Sequence, residues 1–132
     1  MVECVHHINF IVRELAAAIP VWERILGRPA DSRDRLAARG VDIARFDVGG
    51  TWIVLVQPTG PGAPADFLEA HGEGFFLLSL GVESLDVEVE RLGEAMLCGG
   101  ERTGLDNWRV RDLEAAATFG AQLQLVQARQ PV

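Results

Sequence analysis

The sequence has no excess of basic residues, no long apolar run and only two cysteines. Its 12 Lys and Arg residues are outnumbered by 19 Asp and Glu residues, which gives a net charge of -7. A nucleic-acid backbone or an anionic membrane surface requires a basic face, so we expect neither as a partner. No apolar stretch approaches the roughly 18 residues of a membrane span, and residues 1–4 lack the basic start of a signal peptide. We therefore expect a cytoplasmic protein.

The two cysteines are isolated from each other in the sequence. Cys4 and Cys98 do not form a C-x-x-C pair, so we expect reduced thiols rather than a disulfide or a metal site. The chain has 132 residues, of which 48% are hydrophobic and 23% charged. This composition is typical of one soluble globular domain.

An internal repeat with a spacing of 70 residues is the main feature that is present. Apolar positions that begin at Val5 recur from Phe75, and residues 50–57 recur as residues 120–127. Such a repeat indicates two copies of one structural unit. A single copy would bury too little apolar surface, so the copies should pack against each other or against a second chain. We expect a homodimer.

Each copy has the pattern of a strand, a helix and then two or three strands. Residues 5–12 and 75–82 predict buried strands, and apolar residues at helical spacing follow each of them. The second helix should extend from Leu85 to Met96 and end at Gly99-Gly100. Residues 59–72, which are rich in proline and glycine, predict a linker that ends in a short helix near 65–70.

We therefore predict an α+β fold of two tandem βαβββ modules. Module 1 is residues 1–58, module 2 is residues 73–128, and both belong to a single domain, residues 1–132. The Gly49-Gly50 pair predicts a tight hairpin. In its register Asp47 faces Trp52, Arg45 faces Val54 and Ile43 faces Val56.

Four segments resemble the vicinal oxygen chelate superfamily, which includes glyoxalase I, methylmalonyl-CoA epimerase, extradiol dioxygenases and the bleomycin-resistance proteins. They are His6–Val12, Gly50–Pro58, Gly72–Val82 and Gly120–Val126. The resemblance implies that the paired modules form a curved mixed sheet that encloses a cleft. It also implies that four side chains, one from each inner strand, hold a divalent metal there.

The positions that the resemblance assigns to the metal ligands are His7, Val54, Leu77 and Gln124. Isopropyl and isobutyl groups have no lone pair to offer a metal, and a glutamine amide lacks the charge of a carboxylate. We therefore expect no resident cofactor, while His7 and Gln124 leave room for a weakly held divalent ion. Without the metal, and with no carboxylate placed as a base, epimerase or standard glyoxalase activity is not expected.

Strand alternation places an apolar surface with a few polar groups on the cleft face. The residues that we predict to bind a ligand are Asn9, Arg45, Trp52, Phe75, Ser79, Arg109, Gln122 and Gln124. His7 is the predicted catalytic acid or base, because imidazole titrates near neutral pH. Alternatively, His7 is a structural residue that bonds to Gln124.

Strand alternation also predicts the environments of three arginines and of His6. Arg45 is the predicted anchor for an anionic group, and the alternative is a salt bridge to Asp47 or Asp42. If Trp108 belongs to the core, Arg109 and Arg111 face the cleft or solvent. His6 should face a helix.

Two functions of different classes follow. The first is a lyase or isomerase that acts on a small oxygenated, anionic metabolite without the full metal site of the family. The alternative is a non-catalytic protein that binds and sequesters a small molecule, as the bleomycin-resistance proteins do. An accessory subunit with a closed cleft is a third hypothesis.

Overall fold

The computed structural model describes residues 1–128, which form eight strands and three α-helices. The strands are β1 (Val2–Ile11), β2 (Ser32–Leu36), β3 (Val41–Val48), β4 (Thr51–Pro58), β5 (Gly74–Val82), β6 (Leu97–Thr103), β7 (Arg109–Leu113) and β8 (Leu123–Gln127). The helices are α1 (Leu15–Leu26), α2 (Ala63–His71) and α3 (Leu85–Leu92). Strand, helix and three strands therefore occur twice, with α2 between the two sets. The predicted α+β class and βαβββ order are confirmed.

The chain divides into two compact units, which we call unit I (Ile8–Phe76) and unit II (Met1–His7 with the chain from Leu77). The strands of unit I are neighbours in the order β2-β3-β4-β1, and those of unit II in the order β1-β5-β8-β7-β6. In unit II, β5 runs parallel to β8, whereas β7 runs antiparallel to both β8 and β6. The sheet of unit II is therefore mixed.

The hairpin register in unit I agrees with the prediction at every pair. Asp47 lies opposite Trp52, Arg45 opposite Val54 and Ile43 opposite Val56. Gly49 and Gly50 make the turn with φ of 62° and 92°. Both are left-handed conformations that glycine adopts without steric cost, which explains why two glycines fix this register.

Each unit has its own core between a helix and the sheet. Helix α1 of unit I covers Phe46 and Leu55, and helix α3 of unit II covers Leu125. Three pairs of core residues are related by the repeat. They are Val12 and Val82, Leu15 and Leu85, and Leu55 and Leu125. The repeat therefore preserves the surface on which each helix packs.

A glutamine at the end of the last strand of each module binds the start of the helix. The Oε1 atom of Gln57 accepts a hydrogen bond of 2.7 Å from the N–H of Leu15, and that of Gln127 accepts one of 2.8 Å from Leu85. The first N–H groups of a helix have no partner within the helix. Both glutamines supply one, and they are also related by the repeat.

The second module departs from the predicted elements after its helix. The pattern predicted a helix as far as Met96, but α3 ends at Leu92 because Gly93, with φ of 82°, takes the backbone out of helical geometry. Gly99 and Gly100 lie within β6. None of the helices in residues 1–128 is long and apolar enough to cross a membrane.

Candidate active site

Two adjacent histidines of β1 contact each other in unit II. Their Nδ1 atoms are 2.8 Å apart. His7 is buried, with 6% of its surface exposed. Burial lowers the pKa of His6 below its ordinary value of 6.5, because desolvation disfavours the charged ring. The pair therefore consists of two imidazoles in an environment that favours the neutral form of at least one of them.

The contact between the two Nδ1 atoms restricts the protonation of both rings. One Nδ1 must carry the proton and donate, and the other must accept through its lone pair. When His7 donates, its Nε2 carries a lone pair, and when His6 donates, the Nε2 of a neutral His7 carries the proton. The two neutral tautomers of His7 therefore differ at Nε2, which can accept a proton in the first and can donate one in the second.

Trp108 covers this pair. Its indole stacks on His7 at 25° with ring centroids 5.5 Å apart, and it meets His6 edge-on at 4.5 Å. Trp108 is buried, with 9% of its surface exposed, which agrees with its predicted place in the core. His6, which was predicted to face a helix, contacts Trp108. The strand register decides on which side of the sheet Trp108 lies. Arg111 lies opposite the core residue Leu125, so Trp108 points to the other side of the sheet.

The same register places Arg109 on the side of the sheet that carries α3, opposite to the side of Trp108. Its guanidinium donates to Asp86 of α3 and to Glu101 of β6, each at 2.7 Å. Hydrogen bonds from Arg109 lower the pKa of both carboxyls, and the two carboxylates raise the pKa of Arg109. Arg109 therefore joins two acidic side chains on the side of the sheet that carries α3.

Ser79, Gln124 and Asp112 lie side by side on neighbouring strands of unit II. The Nε2 of Gln124 donates to Asp112 at 3.4 Å, and Asp112 also accepts two hydrogen bonds from Arg102, at 2.8 and 2.7 Å. Ser79 is fully buried, and its hydroxyl has no hydrogen-bond partner among the described residues. This row brings two of the predicted ligand-binding residues, Ser79 and Gln124, together.

Arg45 and Trp52 form a second predicted group, in unit I. The guanidinium carbon of Arg45 lies 4.7 Å from the centre of the Trp52 ring, within the range of a cation–π contact. Its Nε donates to the hydroxyl of Ser32 at 3.1 Å. Asp42, one of the predicted salt-bridge partners, is held by Arg35 at 2.9 Å. Arg45 is thus oriented by an aromatic ring and a hydroxyl group.

The remaining predicted residues are placed differently. Phe75 is half exposed and meets Phe10 edge-on at 6.1 Å. Phe10 packs on the helix side of unit I, so Phe75 lies with that aromatic group and not with Arg45 and Trp52. Asn9 has a buried Oδ1. Gln122 precedes β8 and accepts a backbone hydrogen bond from Leu78.

The residues at the four predicted metal-ligand positions do not fit the metal site that the resemblance implies. Leu77 and Val54 are buried aliphatic side chains, with 9% and 6% of their surface exposed, and neither offers a donor atom. The described part of the chain contains no group of three or more His, Cys, Asp or Glu side chains placed to hold a metal ion.

Comparison with known families gives one match. Residues 6–111 match the model of the Glyoxalase/Bleomycin resistance protein/Dioxygenase superfamily. No curated protein matches the sequence significantly.

Solved structures share the fold at low sequence identity. A hypothetical protein from Bacillus halodurans C-125 has a TM-score of 0.89 and 20% identity, over 98% of this chain and 96% of that one. Methylmalonyl-CoA epimerase from Mycobacterium tuberculosis has a TM-score of 0.87 and 24% identity, over 98% and 90%. A variant of Streptomyces coelicolor methylmalonyl-CoA epimerase, in complex with 2-nitronate-propionyl-CoA, has a TM-score of 0.86 and 20% identity, over 98% and 100%.

Proposed function

Because the chain belongs to the Glyoxalase/Bleomycin resistance protein/Dioxygenase superfamily, we propose that it is a lyase or isomerase that transfers a proton at His7 without a bound metal. Its substrate would be a small oxygenated, anionic metabolite. The observation that carries this proposal is the 2.8 Å contact between the Nδ1 atoms of His6 and His7. It provides a base whose proton can be passed to a neighbouring ring.

The proton transfer uses the two tautomers of the pair. In the first, His7 donates its Nδ1 proton to His6 and can accept a proton from substrate carbon at Nε2. His7 is then positively charged and can pass its Nδ1 proton to His6. Return of the Nδ1 proton to His7 and transfer of a proton from Nε2 to the substrate carbon restore the first tautomer and complete the cycle. The buried position of His7 and the lowered pKa of His6 suit this role, because a neutral imidazole can act as a base.

Removal of a proton next to a carbonyl places negative charge on the carbonyl oxygen. Ser79 and Gln124 are neutral hydrogen-bond donors in one row of unit II, and such donors stabilise an oxyanion. In unit I, the guanidinium of Arg45 is a separate group that can bind a carboxylate in a bidentate manner. The structural likeness to methylmalonyl-CoA epimerases supports isomerase chemistry on an acid of this kind.

Exchange of carbon-bound protons into D2O tests the proposal without knowledge of the product. Small 2-oxo acids and acyl thioesters with an acidic C–H bond would be incubated with the protein, and loss of the C–H signal followed by proton NMR. We expect exchange by the wild type, and a loss of about a hundredfold or more in the variant His7→Gln, because a positioned acid or base contributes that much. Exchange should survive chelation of metal ions.

A second variant, a folding control and a metal analysis complete the test. His6→Gln retains His7 but removes its partner, so exchange should fall less than in His7→Gln. Thermal unfolding would show that both variants are folded. A stoichiometric metal ion in the purified protein, or exchange that stops on chelation, would contradict the metal-free mechanism.

The alternative function is the binding and sequestration of a small molecule without catalysis. The stacking of Trp108 on the buried His7 favours it, because a covered imidazole acts on substrate only if the indole moves. In this case no compound would exchange its protons. A ligand found by saturation-transfer NMR would then bind to His7→Gln as well as to the wild type, and would bind more weakly to Trp52→Leu.

A further inference from the structure

The indole of Trp108 lies over one face of the His7 ring in unit II. The two rings stack at 25° with their centroids 5.5 Å apart, and Trp108 and His7 are only 9% and 6% exposed. The same indole meets His6 edge-on at 4.5 Å. In this arrangement a ligand reaches the His7 ring only after the indole has moved.

The residues that precede Trp108 have an unfavourable backbone conformation. Asp106 and Asn107 have φ of 52° and 62°. In this left-handed region a Cβ atom lies too close to the backbone, so that residues other than glycine adopt it at a steric cost. Such strain is concentrated at ligand clamps and switch regions of proteins. Two strained residues in succession therefore indicate a segment that can change its conformation.

The strained residues belong to a short loop between two paired strand ends. Thr103 of β6 lies opposite Arg109 of β7 in the sheet. Within the loop, the N–H of Gly104 donates to the carbonyl of Trp108 at 2.6 Å, and the N–H of Trp108 donates to the carbonyl of Leu105 at 3.0 Å. A rotation of the backbone within residues 104–108 thus moves the indole and leaves the strands in place.

Gly104 contacts Trp108 so closely that a side chain does not fit between them. A Cβ at this position would lie 3.0 Å from Cγ2 of Val110 and 3.2 Å from Cβ of Trp108. Carbon atoms prefer a separation of about 3.5–4.0 Å. The φ of -87° at Gly104 lies in a region that every residue adopts. An alanine here therefore perturbs the contact with Trp108 and not the backbone of Gly104.

We propose that residues 104–108 form a gate, whose closed state places the indole of Trp108 on His7 and whose open state exposes this ring to a small-molecule ligand. Burial of the indole stabilises the closed state. In the open state Asp106 and Asn107 leave the left-handed region, which relieves the strain. The role of the gate in catalysis rests on the function proposed above, because the gate controls access to the imidazole that transfers the proton. The opening itself does not depend on that function.

Chemical labelling of histidine measures the opening. Diethyl pyrocarbonate acylates accessible neutral imidazoles, and tandem mass spectrometry assigns the label to each residue. His71 is exposed and serves as the internal standard. In the wild type, His7 should react much more slowly than His71. Gly104→Ala should raise the rate at His7 by about tenfold, because overpacking against Trp108 disfavours the closed state. Gly100→Ala is the matched control, since its added Cβ points into open space.

A variant with the opposite effect separates the gate from a general loss of stability. Asn107→Gly removes the strain from the closed state, because glycine adopts the left-handed region without steric cost. It should therefore slow the labelling of His7 relative to the wild type, whereas a loop that had only become more flexible would label faster. Thermal unfolding shows whether each variant is folded at the temperature of labelling.

The proposal is overturned if His7 of the wild type reacts as fast as His71, or if Gly104→Ala and Gly100→Ala label His7 at the same rate. Faster labelling of His7 in Asn107→Gly would also overturn it. If labelling follows the expected order but no compound exchanges its protons, the gate is retained and the proton-transfer function is rejected.

Discussion

Replacement of Gln127 by methionine should destabilise the protein more than the same change at Gln57. The two glutamines occupy positions related by the repeat. Gln127 accepts a hydrogen bond from the first N–H of α3, that of Leu85, and Gln57 accepts one from the first N–H of α1, that of Leu15. Methionine keeps the length and volume of the side chain but offers no comparable acceptor. The two variants therefore differ mainly in the surroundings of the N–H group that loses its partner.

Burial decides the expected magnitude. Leu85 and Leu15 are both fully buried, but Gln127 is only 3% exposed whereas Gln57 is partly exposed, so water does not replace the lost acceptor at Gln127. A buried donor without a partner costs about 1–3 kcal/mol. The bond of Gln57 is only partly buried, so water can compensate, and a loss of about 0.5–1.5 kcal/mol is expected. Ser84 caps α3 at Val87 and does not reach Leu85, so it offers no substitute.

Urea unfolding followed by tryptophan fluorescence measures both free energies under identical conditions. We expect Gln127→Met to be less stable than Gln57→Met by about 1 kcal/mol, at an unchanged slope with urea. In thermal unfolding, a chain of this size should lose roughly 3–5 °C for each kcal/mol.

Equal losses for the two variants, or a larger loss at Gln57, would refute the reasoning, because the expected difference rests on the burial of Gln127 relative to Gln57. A changed slope in either variant would show that more than one hydrogen bond was altered. Gln122→Met serves as the control, because Gln122 precedes β8 and its structural contact is through the backbone.

Two other predictions concern unit II. Glu88 is almost fully buried and accepts hydrogen bonds from the ammonium of Met1 and from Arg91, which lower its pKa below the ordinary 4.5. Its stabilising contribution is therefore present above pH 4.5 and lost as the pH falls through the lowered value. Glu88→Gln should thus be less stable than the wild type at pH 7, and the difference in unfolding free energy should disappear in acid. A difference that is constant with pH would contradict this. Gly81→Ala would place a Cβ 2.6 Å from the Sγ of Cys4, so we expect a loss of about 1 kcal/mol or more. Most of it should be recovered in the double variant with Cys4→Ala, and additive losses in chemical unfolding would disprove a clash between the two.

The hairpin and the helix-packing residues could be predicted because local pattern determines them. The Gly49-Gly50 turn fixes its register through backbone conformation. Alternation then separates Phe46 from Arg45, and the burial of Phe46 against α1 follows. No distant part of the chain is needed for these steps.

The surroundings of the histidine pair could not be predicted in the same way. The face on which Trp108 lies depends on the pairing of β7 with β8, which no nearby turn fixes. Arg109 lies on the α3 side because Asp86 and Glu101 compensate its charge there, and charge alone had suggested the opposite side. A pattern of exposed arginines does not reveal carboxylates that come from other elements.

The sequence by itself determined the repeat, the βαβββ order and the absence of metal-binding atoms at Val54 and Leu77. These features follow directly from residue identity and from hydrophobic periodicity. Only the tertiary structure decided that His6 contacts His7 beneath Trp108. It alone also showed which surface of α1 remains uncovered. Such contacts depend on strand register and on helix packing, which bring together residues that are about a hundred positions apart in the chain.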